Sequence, residues 1–247
     1  MIKFFRKIRY DLMKKNKLLS YSAYAIGEVL LVVIGIYIAI QFNNWNEEKK
    51  QQAIVKTNIG ILIETLKEDT IYYREKVSSI DWLNGVLDGY EKRLNQPTSN
   101  LDTLIKISRD EFRPGIISTG KDNNDAYNSM TMSGEINLFD KELRQDIYRL
   151  YTQHKVLEES ASDHFNTYLV NLNNFNSKFG LNATSPFKKG PIAKAIWEDV
   201  DIRELAVAFH PMFNTKKNHL GQTKRQIVKV IEMTDALLIK LNQVHND

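Results

Sequence analysis

Gly115-Ile116-Ile117-Ser118-Thr119-Gly120-Lys121 has the spacing of a phosphate-binding loop, in which backbone N–H groups cradle phosphate oxygens and the lysine reaches the terminal phosphates. The following position should then be Ser or Thr to hold magnesium, and it is Asp122. No apolar strand leads into the loop and no clear helix follows directly, so the spacing is read as coincidence. Asp122-Asn123-Asn124-Asp125 offers oxygens of the kind calcium takes, but lacks the mid-loop glycine and the terminal bidentate Glu. A solvated polar loop accounts for it.

His154 and Glu158 stand one helical turn apart and Asp163-His164 follows, yet two histidines ten residues apart make no zinc signature. Both fall in a periodic apolar run and are expected as hydrogen-bonded core residues, with pH response as the functional alternative. His219 and His245 are expected at the surface. Tyr72, Tyr73, Trp82, Tyr90, Tyr127, Tyr148, Tyr151, Phe165, Tyr168 and Trp197 could line a ligand pocket between helices, although most should be core. The chain has no cysteine, which excludes disulfides and thiolate metal sites. No nucleophile–base arrangement stands out. We therefore expect no catalytic residues, no metal, no cofactor and no enzyme activity.

Glu28 is the sharpest polar oddity. It lies inside Tyr21–Trp45, an apolar run of about 20 residues, long enough at ~1.5 Å per residue to cross a hydrocarbon core of roughly 30 Å. Carboxylates in such a setting face a partner or a polar cavity, and Tyr24 sits one turn away. If the hydrocarbon begins at Tyr21, Glu28 is about 10 Å deep; if it begins at Ile26, Glu28 lies near the headgroups. The readings are a snorkelling or Tyr-bonded structural glutamate, an interhelical hydrogen bond, or proton or ion coupling. Ala23, Gly27, Gly35 and Ala39 share one helical stripe, interrupted by Leu31, of the kind that lets membrane helices approach closely. Such residues are also common in membrane helices generally.

The charge distribution orients this segment. The chain holds 34 Lys and Arg against 30 Asp and Glu, which taken alone would admit a nucleic-acid binder. However, residues 1–17 hold seven of those basic residues, Lys14, Lys15 and Lys17 among them, against the single Asp11, leaving the remainder slightly acidic. Basic arms beside a first membrane helix stay cytoplasmic and pair with anionic lipid. Tyr21 and Trp45 fit interface anchors, with Lys14, Lys15 and Lys17 on the inner side. No small-residue pair stands at cleavage spacing near Gln41, so an uncleaved signal anchor is expected.

The run YAIGEVLLVVIGIYIAIQFNNWNEEKK, preceded by MIKFFRKIR, resembles the N-terminal signature of a family of uncharacterised single-pass membrane proteins from Bacteroidetes, with the pattern KFFRKIR, YAIGE, LVVIGI, IALQ and NNWNE. The resemblance covers about the first 48 residues and departs at Tyr37, Ile40 and Phe42. SGEINLFDKELR, 133–144, is also similar to the family. The resemblance implies a Gram-negative inner membrane with the C-terminal domain in the periplasm. It carries no activity, and for Glu28 it says only that the glutamate belongs to the signature.

Periodicity sets the elements. Ile59, Leu62, Ile63, Leu66, Tyr73, Val77 and Ile80 continue the membrane helix into a juxtamembrane helix, weakened at Gly60 and Gly85, with a further helical stretch to Leu94. Short helices are expected over 101–112 and 126–133, with Gly134 as C-cap. Asp140 caps what should be the longest helix outside the membrane segment, its seam running from Leu143 to Phe179 and ending at Gly180. One or two short helices fill 192–209 before His210-Pro211, and a closing helix carries Ile227 to Val244.

The expected class is all-α: a cytoplasmic arm, 1–17; a transmembrane signal anchor, 18–45; and a periplasmic helical bundle, 46–247. The expected role is a non-enzymatic inner-membrane protein acting through protein contacts, as accessory subunit, scaffold or homo-oligomer. Its partners would be membrane lipids and a homo-oligomer or larger membrane complex, not nucleic acid, with any small-molecule ligand unknown. The alternatives are a periplasmic ligand sensor, by analogy of architecture, and an ion-coupled subunit using Glu28.

Overall fold

The computed structural model describes Tyr10 and residues 18–118, 124–180 and 190–246, which contain helices and no strand. Helix α1 is Leu18–Leu94. Helix α2, Leu101–Ile105, runs into a π-helical turn, Lys106–Glu111. Helix α3, Asp125–Ser133, is followed by a 3-10 turn, Glu135–Leu138. Helices α4, Lys141–Phe179, α5, Pro191–Trp197, and α6, Ile202–Asn246, complete the chain. The all-α class is as expected. The chain divides into two compact units, Met1–Lys56 and Thr57–Asp247.

In the first unit, α1 is long and apolar enough to cross a membrane, and none of its most apolar 18-residue stretch is buried within the protein. Every residue from 29 to 50 is exposed.

The second unit has its own core. On α1, Leu66, Tyr73, Ile80 and Leu87 recur every seven residues and are all buried, which keeps one stripe turned inward. On α4 the stripe is Ile147, Leu150, Leu157, Tyr168 and Phe175; on α6 it is Leu205, Met212, Leu220, Ile227 and Leu241. Cross-contacts fix the directions. Lys240 meets Glu142 and Asp146, Gln153 meets Gln226, and Lys178 meets Glu204, so α4 and α6 run antiparallel. Arg74 pairs with Asp235, Lys224 with Asp81 and Lys217 with Asp88, so α6 is also antiparallel to this part of α1. These ion pairs are largely exposed and each contributes little, about 0–1 kcal/mol. The buried stripes carry the stability.

Local chemistry sets the ends. The Asp140 carboxylate accepts from the N–H groups of Glu142 and Leu143 at 2.8 and 2.9 Å, satisfying donors that the first turn leaves open. Gly134 ends α3 with φ of 78°, a left-handed conformation open to glycine.

Gly60 and Gly85, where local weakening is expected, leave α1 continuous: each costs only about 1 kcal/mol, and Ile59, Leu62 and Leu87 around them are buried. One boundary and one length order differ from the sequence expectation. The closing helix does not wait for Pro211 but begins at Ile202 and carries that proline inside. Proline removes one backbone donor, while Leu205 and Phe209 before it and Met212 and Phe213 after it are buried on one seam. Packing outweighs the lost bond. At 45 residues α6 is therefore longer than α4 at 39, reversing the expected order.

Candidate functional site

After the π-helical turn the chain leaves regular structure, with Phe112 extended and residues 112–118 forming a strap. Backbone carbonyls outside a helix or sheet need partners from elsewhere, and two side chains provide them. Lys216 of α6 donates from Nζ to the carbonyl oxygens of Arg113 and, at 2.8 Å, Gly115. The Tyr168 hydroxyl of α4 donates to the Pro114 carbonyl at 2.7 Å. Lys216 is only 1% exposed, with its ammonium 4.9 Å from the Phe112 ring centre and 5.9 Å from that of Tyr168. Burial lowers its pKa to about 8 and raises that of Tyr168.

Lys216 was missed in the sequence, but a signal existed. It follows Met212 by four and precedes Leu220 by four, a charged residue in the phase of the apolar seam.

Two clefts adjoin the strap. One, of about 420 Å³, lies against Trp82, Val86 and Tyr90 of α1, Glu111 at the end of the π-helical turn and Arg113 of the strap, with Lys216 also lining it. The other, of about 590 Å³, reaches Ser78, Ser79, Ile116 and Ile117, and shares Trp82, Leu83 and Arg113 with the first. Trp82 is 64% exposed. The acids here are matched within the protein. Arg93 grips both oxygens of Glu111, and Arg109 both oxygens of Asp110. The Tyr90 hydroxyl donates to the Glu111 carbonyl at 2.9 Å, and burial, then the Glu111 charge, raises its pKa. The Arg113 guanidinium makes no hydrogen bond or ion pair among the described residues, and it lines both clefts. Among the described residues this leaves one cation without a hydrogen-bond or ion-pair partner beside an apolar aromatic wall.

A second polar group lies deeper. Asp69 and His154 are buried, and the His154 ring packs 5.7 Å from that of Tyr73 and 5.5 Å from that of Tyr151. Tyr127 stacks on Tyr151 at 4.0 Å. Burial, then Asp69 and Tyr127, raises the Tyr151 hydroxyl. His154 is core as expected, whereas His164 is only half-buried and Glu158 is exposed. His219 corrects the expectation of a surface residue: it is 2% exposed, its ring nitrogens make no hydrogen bond among the described residues, and its centroid is 6.0 Å from that of Phe165. Burial, with His164 and Lys216 nearby, lowers its pKa. His245 is half-buried, close to Gly60.

Of the phosphate-loop and calcium-loop candidates, 119–123 lie outside the described residues; Asn124 precedes α3 and Asp125 begins it. Among the described residues no strand precedes Gly115. No cluster of three metal-capable side chains occurs among the described residues.

The residues singled out in the apolar segment are placed only in part. Lys14, Lys15 and Lys17 lie outside the described residues, and for Tyr21, Ala23 and Tyr24 only the helical backbone is described. Glu28 is partly covered, while Gly35 and Ala39 are exposed. A methyl group built on Gly27 or Gly35 would meet nothing within 4 Å. Trp45 is exposed, with Phe42 at 5.8 Å and the Lys49 ammonium 4.1 Å over its ring.

The described residues thus form an all-helical protein with one helix long and apolar enough to cross a membrane and a bundle with two adjoining clefts. Residues 28–109 match the model of a family of unknown function, DUF6090. That span takes in most of α1, including the Trp82 face, as well as α2 and part of the π-helical turn. No curated protein and no solved structure matches the chain.

Proposed function

We propose that this chain is a single-pass protein of a Gram-negative inner membrane that works through protein contacts and performs no catalysis. Residues 1–17 form a cytoplasmic arm, 18–45 an uncleaved anchor, and 46–247 a periplasmic bundle. The observation that carries the reading is the uncovered apolar surface of α1 between Ile26 and Phe42. Exposed to water, apolar surface costs about 25 cal/mol per Å², so lipid and neighbouring helices are its natural cover. The basic arm supports the orientation, and the resemblance of the first 48 residues to Bacteroidetes membrane proteins supports the compartment.

Contacts between helices are supported by the open space at Gly27 and Gly35, which lets a second backbone come close. Ala39 lies on the same stripe. Glu28 is placed to hydrogen-bond across such an interface.

The cysteine-free sequence allows single introduced cysteines to report topology. A cysteine at position 246 should react with a membrane-impermeant maleimide from the periplasmic side. A C-terminally tagged chain, extracted in mild detergent, should carry stoichiometric partners or run as a homo-oligomer by native mass. Gly27→Leu with Gly35→Leu should reduce membrane cross-linking. A lone monomer, with cross-linking unchanged in the double variant, would defeat the contact reading.

A further inference from the structure

We propose that the two adjoining clefts of the bundle form one binding site for a small soluble monocarboxylate with an apolar body, its carboxylate on Arg113 and its apolar part against Trp82, Leu83 and Ile117. This inference is independent of the membrane reading, since every residue involved belongs to the unit Thr57–Asp247.

The size fits first. Volumes of about 420 and 590 Å³ fall in the range that holds small organic ligands. The apolar wall comes next: Trp82 lines both clefts and leaves 64% of its surface exposed, and Ile117 lines the larger one. An indole with no cover from its own chain offers a large, stiff contact surface at low entropic cost.

Charge then selects the ligand. Glu111 and Asp110 line the smaller cleft but are matched by Arg93 and Arg109, which leaves Arg113, among the described residues, as the guanidinium without a hydrogen-bond or ion-pair partner that lines both clefts. Lys216 adds a second positive group at the same wall, with two of its three donors used on strap carbonyls. A guanidinium receives a carboxylate through two parallel hydrogen bonds.

The site is also held in shape before any ligand arrives. Lys216 and Tyr168 fix the carbonyls of Arg113, Pro114 and Gly115, so the backbone presenting the guanidinium is ordered and little entropy remains to be lost on binding.

The test is equilibrium dialysis of labelled octanoate against the full chain in lipid nanodiscs, with empty discs subtracted. Saturable binding of one octanoate per chain is expected. Arg113→Ala should weaken it about 10-fold or more, with Arg113→Lys in between, since a charge-assisted pair is lost and then partly restored. Trp82→Ala should also weaken it, and octanol should compete at least about 10-fold less well than octanoate. Both substitutions are at exposed positions, and an unchanged thermal transition would separate lost binding from lost folding. No saturable binding, equal affinity in Arg113→Ala, or equal competition by octanol would each overturn the proposal.

Discussion

Ile34 and Ile80 are the same residue type on the same helix, yet one is 51% exposed and the other fully buried. Around Ile34 the helix is apolar on every side, so no polar face exists to turn toward water. Around Ile80 the neighbours alternate: Ser78, Ser79 and Asp81 point outward, while Tyr73, Ile80 and Leu87 return to one stripe. A helix with one apolar stripe finds its cover inside the chain; one apolar all round needs cover from outside. Lys216 shows the converse, a charge placed on the inward stripe and made tolerable by two carbonyl partners.

Substitutions can break that contrast. The largest expected effect is Phe175→Ala, which empties a fully buried position and should destabilise the bundle by about 3–5 kcal/mol in denaturant unfolding. Ile34→Ala in the same assay should change it by less than about 0.5 kcal/mol, as expected for an exposed position. Equal effects would mean that the apolar segment is packed against the chain after all.

Next comes Lys216→Met. It removes the donor that two strap carbonyls share and should cost about 2–3 kcal/mol, with faster amide exchange in 112–118. Because the folded-state pKa, about 8, is below the ordinary lysine value of 10.5, the unfolded chain binds more protons between those values. Stability contributed at this site should therefore rise as pH climbs through that window, and Lys216→Met should abolish the rise. Asp140→Ala removes the α4 cap and should cost about 1 kcal/mol, visible as fraying at 141–144.

The last effect is read as a slope rather than a size. His219 is held neutral by burial, its pKa lowered from 6.5, so on acidification the unfolded chain takes up its proton first. Stability should fall as pH drops through 6.5, and His219→Gln should flatten that fall whatever it does to the baseline. An unchanged slope would assign the acid sensitivity to other groups.

How much of this was legible in the sequence depended on how local the cause was. Asp140 and Gly134 acted as their residue types require, because a cap is decided within four residues. The α4 seam from Leu143 to Phe179 was readable for the same reason. Pro211 was misjudged because its local cost is visible in sequence, while the burial of Phe209 and Phe213 that offsets it is not. The candidate site was harder still. Trp82 and Tyr90 were noted as aromatics, but nothing in the spacing of Trp82, Arg113 and Lys216, on three separate segments, places them together.

By itself, then, the sequence determined the all-helical class, the apolar segment, the basic arm before it and the inward stripes, since each follows from periodicity or from the run of residue types along the chain. Tertiary structure alone decided the antiparallel pairing of α6 with its neighbours, the burial of His219, and the strap on which Arg113 stands. Those depend on which segments share a surface, and a buried lysine finds its carbonyl partners about a hundred residues away only once the chain has packed.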